Sequence, residues 1–181
     1  MTTENLNIDI QVENVEDTLP EENEFKNWIA STLDQVRLQM HSEKGRTKKL
    51  LKEQTVELTL RIVNEEEGSS LNQTYRGKIG PTNVLSFPFE APEGLPDDLQ
   101  IPLLGDIVLC APLVKKQALE QNKAEKNHWA HLTIHGILHL LGYDHCNDEE
   151  AAIMENLEIN ILSKLGISDP YVTSQLKTNQ H

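Results

Sequence analysis

His135-Gly136-Ile137-Leu138-His139-Leu140-Leu141-Gly142-Tyr143-Asp144-His145 is the stretch from which the organisation of this chain can be read. His135 and His139 are one helical turn apart, so both project from the same helix face. Gly142, three residues on, can take the left-handed conformation that ends a helix. The chain can then turn back and bring His145 to the same point. Three neutral imidazoles meeting there, with no fourth protein ligand close in sequence, describe an open zinc site, the kind that does chemistry. The chain holds seven histidines in 181 residues, and chance would supply such a triplet roughly 0.01 times. Two blander readings compete: unrelated helix-end and surface histidines, or a structural zinc closed by Cys146. Structural sites are usually rich in cysteine, and adjacent residues rarely point at one metal.

Working outward, the motif ends a helix expected from about Lys126 to Leu141, and another is expected from Asp148 to Leu165, stopped by Gly166. Upstream, Pro112 opens a helix to about Gln121. Leu103 to Ala111 reads as a strand with Asp106 inside it, and Val84 to Phe89 as a short strand. Ala91 to Pro102, with three prolines and a glycine, reads as a loop. Val56, Leu58, Leu60 and Ile62 alternate with polar residues, as do Leu6, Ile8, Ile10 and Val12, giving two more strands. Between these two, Phe25, Trp28, Ile29, Leu33 and Val36 recur at helical spacing after Pro20. His41 to Lys52 lacks periodicity and reads as a connection. Asn64 to Ser70 reads as turn and cap residues, followed by a short helix from Leu71 to Tyr75 that Pro81 ends. The expected fold is α+β: a single domain with a mixed sheet of about four strands, helices packed on it, and the metal site on a C-terminal helix and the loop after it. Residues 1–170 would form the catalytic metal-binding domain and residues 171–181 a polar tail.

Composition narrows the setting. The length suits one domain with a real core. Two cysteines make no disulfide framework. Met1 to Asn7 is polar without an apolar signal core, and no apolar run approaches membrane-spanning length. The expectation is a soluble, cytoplasmic protein with no membrane partner. Net charge is −13, which by itself argues against nucleic-acid binding. The charge is uneven: residues 1–34 carry −8, residues 35–52 carry +5, and the rest −10. The basic stretch is either an exposed loop or part of a basic cleft with Arg76 and Lys78.

The histidine spacing also matches the long zinc-peptidase signature H-E-x-x-H-x-x-G-x-x-H in its ligands and glycine. The peptidase general base is the Glu directly after the first His. Here that position is Gly136, so a peptidase would need another acid to accept the proton of water and protonate a leaving amine.

His135 to His145, read as H-G-x-L-H-L-x-G-Y-D-H, resembles the signature of the YbeY family of bacterial metal-dependent endoribonucleases. Leu71-Asn-Gln-Thr-Tyr-Arg76-Gly-Lys-Ile-Gly-Pro81-Thr-Asn83-Val-Leu-Ser-Phe87-Pro is similar to that family's central segment, and Gly105-Asp106-Ile107 to one of its strands. The resemblance runs from the first strand to about Tyr171. It implies a single-strand-specific endoribonuclease acting in 16S rRNA 3′-end maturation and ribosome quality control. It further implies one Zn2+ on His135, His139 and His145, and a functional role for Arg76. Implied partners are ribosomal RNA, the small ribosomal subunit and ribosome-assembly proteins. Nothing transfers to the acidic N-terminus or to residues 44–52.

The physics agrees with that assignment. Zinc lowers the pKa of bound water to about 7, and RNA also brings its own 2′-hydroxyl as nucleophile. Either route places negative charge on phosphate oxygens, which Arg76 can meet with paired N–H donors better than lysine can. From residue type alone Arg76 is a helix-end surface arginine. Asp144 is either a turn residue or a group that orients an imidazole. His131, one turn before His135, is expected to be packed or capping, His128 and His41 to be surface residues, and Met154 to fill the core. Asp106 stays open between a hydrogen-bonded structural acid and a cleft residue. The competing functions are a zinc metallopeptidase-like hydrolase and a non-catalytic ribosome-assembly factor. Nickel and copper also take nitrogen ligands.

Overall fold

The computed structural model describes residues 5–39, 50–52, 55–96, 99 and 101–172. The elements follow in the order β1 (Leu6–Val12), α1 (Glu22–Gln39), β2 (Val56–Val63), α2 (Glu65–Arg76), β3 (Val84–Pro88), β4 (Leu103–Cys110), α3 (Ala111–Glu120), α4 (Glu125–Leu140) and α5 (Asp148–Lys164). The four strands form one sheet in the order β1-β2-β4-β3. β1, β2 and β4 run parallel, and β3 closes the edge antiparallel to β4. The expected mixed sheet of four strands with helices packed on it is what forms.

The two central strands bury side chains on both faces, as strands covered on both sides must. Ile107 and Leu109 of β4 join the main core with Phe25, Trp28, Ile29 and Leu33 of α1 and Trp129, Ile134, Ile137 and Leu138 of α4. Val108 and Cys110 alternate to the opposite face and pack with Val63 and Leu85 beneath Leu71 of α2. α4 touches β3, β4 and three other helices, which makes it the central pillar of the domain. Its position fixes where the histidines go.

Gly105 sets the approach of α4 to the sheet edge. It sits at a register irregularity between β2 and β4 with φ +146°, a conformation that side chains resist. A Cβ there would lie 2.3 Å from the Phe87 carbonyl oxygen and 2.9 Å from Leu140 Cδ2. Glycine thus lets β3, β4 and the end of α4 converge.

α2 departs from the expected short helix. It begins at Glu65, because Asn64 caps it by accepting the Glu67 N–H at 2.9 Å. Glu65, Glu66 and Glu67 then stand in the first turn, where the helix dipole favours acids. It stops at Gly77, with φ 64°, before Pro81 is reached. The polar run hid the helix because its buried positions are Gly68 and Asn72, not an apolar stripe. The connection read over residues 41–52 lies mostly outside the described residues. Residues 50–52 are helical, and Leu50 and Leu51 are buried. Of the segment read as a tail, residues 171 and 172 are described; Tyr171 is tied back to the domain, as shown below.

Candidate metal centre

His135 and His139 leave α4 on one face, and α4 ends in a tight turn in which the Gly142 N–H bonds the His139 carbonyl and the Tyr143 N–H the Leu138 carbonyl, both at 3.0 Å. Gly142 has φ 96°, the left-handed stop expected of it. The turn returns the chain, and His145 reaches the pair. One ring nitrogen from each of His135, His139 and His145 lies within 4.8 Å of the others. Nε2 of His135 and Nε2 of His139 are 3.1 Å apart. Tetrahedral zinc, with Zn–N near 2.0–2.1 Å, would place ligand nitrogens roughly 3.4 Å apart. The cluster therefore fits a metal ion after a small shift, which the half-exposed His145 ring can make. Cys146 does not join it: its exposed thiol donates to Asp144 Oδ2 at 3.1 Å. Burial, reinforced by repulsion from His135 and His145, holds the His139 imidazole below its ordinary pKa and favours the neutral, ligating form.

The group that aims His135 is Glu158 of α5, fully buried. Its Oε1 accepts from His135 Nδ1 at 2.5 Å, and its Oε2 from His131 Nε2 at 2.9 Å. The Tyr171 hydroxyl also donates to Oε2. A proton fixed on Nδ1 leaves the Nε2 lone pair of His135 facing the cluster, the usual arrangement behind a metal-bound imidazole. Burial alone would raise the Glu158 pKa, but hydrogen bonds from His131 and His135 outweigh it and hold the carboxyl at about 2. The same burial and the adjacent carboxylate push the Tyr171 phenol upward.

Sequence reasoning missed Glu158, although a signal was present. Met154, Glu158 and Leu162 recur every four residues, and the acid stands in an otherwise apolar stripe with Leu157 and Ile161. His131 is the packed residue expected. His128 is corrected: it is 4% exposed, because its ring packs between α4 and α3, with Nε2 2.9 Å from Gln117 Oε1. Burial holds it at about 4, hence neutral. Asp144 takes the turn role: its Oδ1 accepts the His145 N–H at 2.8 Å. Asp106 is exposed, and Met154 is core. His41, Lys48 and Lys49 lie outside the described residues.

The imidazoles open into a cleft of about 610 Å³ that Tyr75, Arg76, Ser86 and Phe87 also line. Arg76 is the last residue of α2 and is exposed. Asn72 of the same helix pins the following loop by donating to the Gly80 carbonyl at 2.7 Å. Lys78 is exposed but does not line the cleft. Gly136, where the peptidase pattern has its glutamate, faces the sheet. A Cβ there would lie 3.1 Å from Ile107 Cγ2, and Ser86 Oγ donates to the Gly136 carbonyl at 3.1 Å. A side chain at that position would require Ile107 to give by a few tenths of an ångström.

An α+β domain with three imidazoles converging beside an open cleft is a protein that could hold a metal ion next to room for a substrate. Comparison with known proteins agrees and goes further. The profile described as Endoribonuclease YbeY matches residues 9–166. A protein of that name from Stenotrophomonas maltophilia (strain K279a) is 51% identical over 153 residues, covering 84% of this chain and 85% of that one. Another, from Xanthomonas oryzae pv. oryzae (strain MAFF 311018), is 50% identical over 157 residues, covering 87% and 88%. The chain belongs to the YbeY endoribonuclease family. A solution structure of TM1509 from Thermotoga maritima is 25% identical, with a TM-score of 0.48 over 87% of this chain and 91% of that one.

Proposed function

We propose that this protein is a zinc-dependent endoribonuclease that cuts single-stranded RNA, with the ion on His135, His139 and His145 and with Arg76 acting on the phosphate. The observation that carries this reading is that the three imidazoles and Arg76 line one cleft, in a member of a family named for RNA cleavage. A bound zinc ion supplies Lewis acidity toward phosphate oxygens. The protein supplies the rest. Glu158 holds His135 in the ligating tautomer. Arg76 can present two N–H donors to nonbridging oxygens as their charge grows. Asp144 is the one carboxylate among the described residues lining the cleft, and both its oxygens already accept hydrogen bonds. That shortage of acid–base groups disfavours amide hydrolysis, whose amine leaving group needs a proton. RNA brings its own nucleophile in the 2′-hydroxyl; as the 2′-O–P bond forms and the P–O5′ bond breaks, solvent entering the open cleft can take the 2′ proton and protonate the leaving 5′-oxygen.

The biological setting we infer is maturation of the 16S rRNA 3′ end and ribosome quality control in the cytoplasm. Ribosomal RNA, the small subunit and ribosome-assembly proteins would be the partners. Family membership supports this setting. No described helix is long and apolar enough to cross a membrane.

The test is metal content, fold and RNA cleavage for wild type, His139→Ala and Arg76→Ala. Arg76→Ala is expected to keep fold and metal and lose cleavage by about 10²–10³-fold, as for removal of one charge-stabilising donor. His139→Ala is expected to lose the metal. If metal-loaded wild type cuts no single-stranded RNA, the reading falls and a non-catalytic assembly factor takes its place.

A further inference from the structure

Tyr75 stands beside Arg76 at the end of α2, and both line the metal-bearing cleft. Tyr75 is 64% exposed as a whole residue. One partner braces it: Phe87 of β3 meets it at 5.0 Å between centroids, with ring planes at 63°. Phe87 is itself anchored, packed against the small apolar cluster on the α2 face of the sheet. The strand register holds it opposite Asp106. An edge contact of this kind fixes the tyrosine while leaving ring surface open. Gly77 ends the helix directly afterwards, and Asn72 pins the loop beyond. The aromatic ring is therefore mounted on a fixed helix end and is not carried by a free loop. Ile79, 95% exposed, extends the apolar character just outside.

An exposed tyrosine alone is ordinary. An exposed tyrosine held by a second ring, adjacent in sequence to the arginine of the cleft, is placed as a nucleobase platform would be. A phosphate held near Arg76 leaves its attached base within a nucleotide's length of Tyr75. A base can stack there only after leaving its Watson–Crick partner, because a paired base has both faces covered by its neighbours.

We infer that Tyr75, braced by Phe87, is the stacking platform for an unpaired base next to the scissile phosphate, and that this platform selects single strands over duplex. The inference rests on the endoribonuclease reading above and adds its specificity determinant. It also relieves a difficulty of charge. With a net charge of −13, the protein has little long-range attraction for RNA, so contact with bases must carry more of the binding.

The probe is a short single-stranded 2′-O-methyl oligoribonucleotide carrying 2-aminopurine, whose fluorescence falls on stacking. It is titrated into metal-loaded wild type, Tyr75→Phe, Tyr75→Leu and Tyr75→Ala, alone and annealed to its complement. Cleavage of the unmodified strand is measured in parallel. Leucine keeps apolar bulk without a ring, so it separates stacking from simple packing. Wild type and Tyr75→Phe should bind the single strand within about twofold of each other and quench the probe. Tyr75→Leu and Tyr75→Ala should bind about 5- to 150-fold more weakly, with quenching relieved, KM raised more than kcat is lowered, and the single-strand preference narrowed. Metal stoichiometry and melting temperature should stay at wild-type values, since the side chain is exposed. If wild type cuts RNA but Tyr75→Leu and Tyr75→Ala bind, quench and discriminate as wild type does, the platform is refuted and the endoribonuclease reading stands. If wild type neither binds nor cuts, both fall.

Discussion

Replacing Glu158 by glutamine removes one oxygen and one charge with little change of shape. In the wild-type protein the buried carboxylate accepts from His135 at 2.5 Å, from His131 at 2.9 Å and from Tyr171. A glutamine offers one acceptor oxygen, and its NH2 group then faces groups that are themselves donors. Two effects follow. The His135 tautomer is no longer held, which for such partners of metal ligands costs 10- to 100-fold in metal affinity, about 1.4–2.7 kcal/mol. The metal-free fold also weakens. A folded pKa of about 2 against an ordinary 4.5 corresponds to about 3 kcal/mol of preference for the ionised, hydrogen-bonded carboxyl. Because the folded value is depressed, this contribution is complete above 4.5 and is lost as pH falls toward 2, so at pH 7 the variant loses it in full. Zinc affinity would be measured by competition with a chromogenic chelator, stability by urea unfolding of the metal-free protein, and the tautomer by 15N chemical shifts of the His135 ring. The argument is refuted if Glu158→Gln binds zinc within twofold of wild type with the His135 nitrogen shifts unchanged.

Other outcomes are equally definite. His128 is held neutral at about 4 by burial, so the unfolded chain takes up a proton below 6.5 that the folded one refuses. Stability should therefore fall by about 3 kcal/mol between pH 6.5 and 4 from this residue, and His128→Gln should flatten that part of the stability–pH curve. Gly105→Ala forces a Cβ to 2.3 Å from a carbonyl oxygen and should cost about 2–5 kcal/mol in denaturant unfolding; a loss below 1 kcal/mol would contradict the close approach. Cys146→Ser should leave zinc affinity unchanged within a factor of two, since the thiol is engaged with Asp144 and lies outside the imidazole cluster.

The sequence was most readable where structure is periodic or locally closed. Alternation in β1 and β2, and the helical spacing of Phe25, Trp28, Leu33 and Val36, reflect burial against one core, so pattern and structure agree. The histidine triplet is legible because its three rings are supplied by one helix and one turn. What pattern could not show is made by distant contacts. α2 buries a glycine and an asparagine, so no apolar stripe announced it, and Asn64 with the three glutamates after it read as turn and cap residues when they are the helix start. His128 reads as polar and became core only because Gln117 on another helix receives it. Glu158 is 23 residues from His135, the imidazole it holds, and no local spacing links the two. For Arg76, the resemblance named the residue, and the end of α2 brings it to the lining of the same cleft as the imidazoles.

The three imidazoles come from eleven consecutive residues, whereas Glu158 and Arg76 come from far along the chain. An unfolded chain thus keeps the imidazoles within reach of one another and can still chelate the ion, though without a held tautomer. A ligand stabilises a fold only by its preference for the native over the denatured state. Metal should accordingly raise the melting temperature by less than its affinity for the folded protein implies, and the shortfall measures what the denatured ensemble retains.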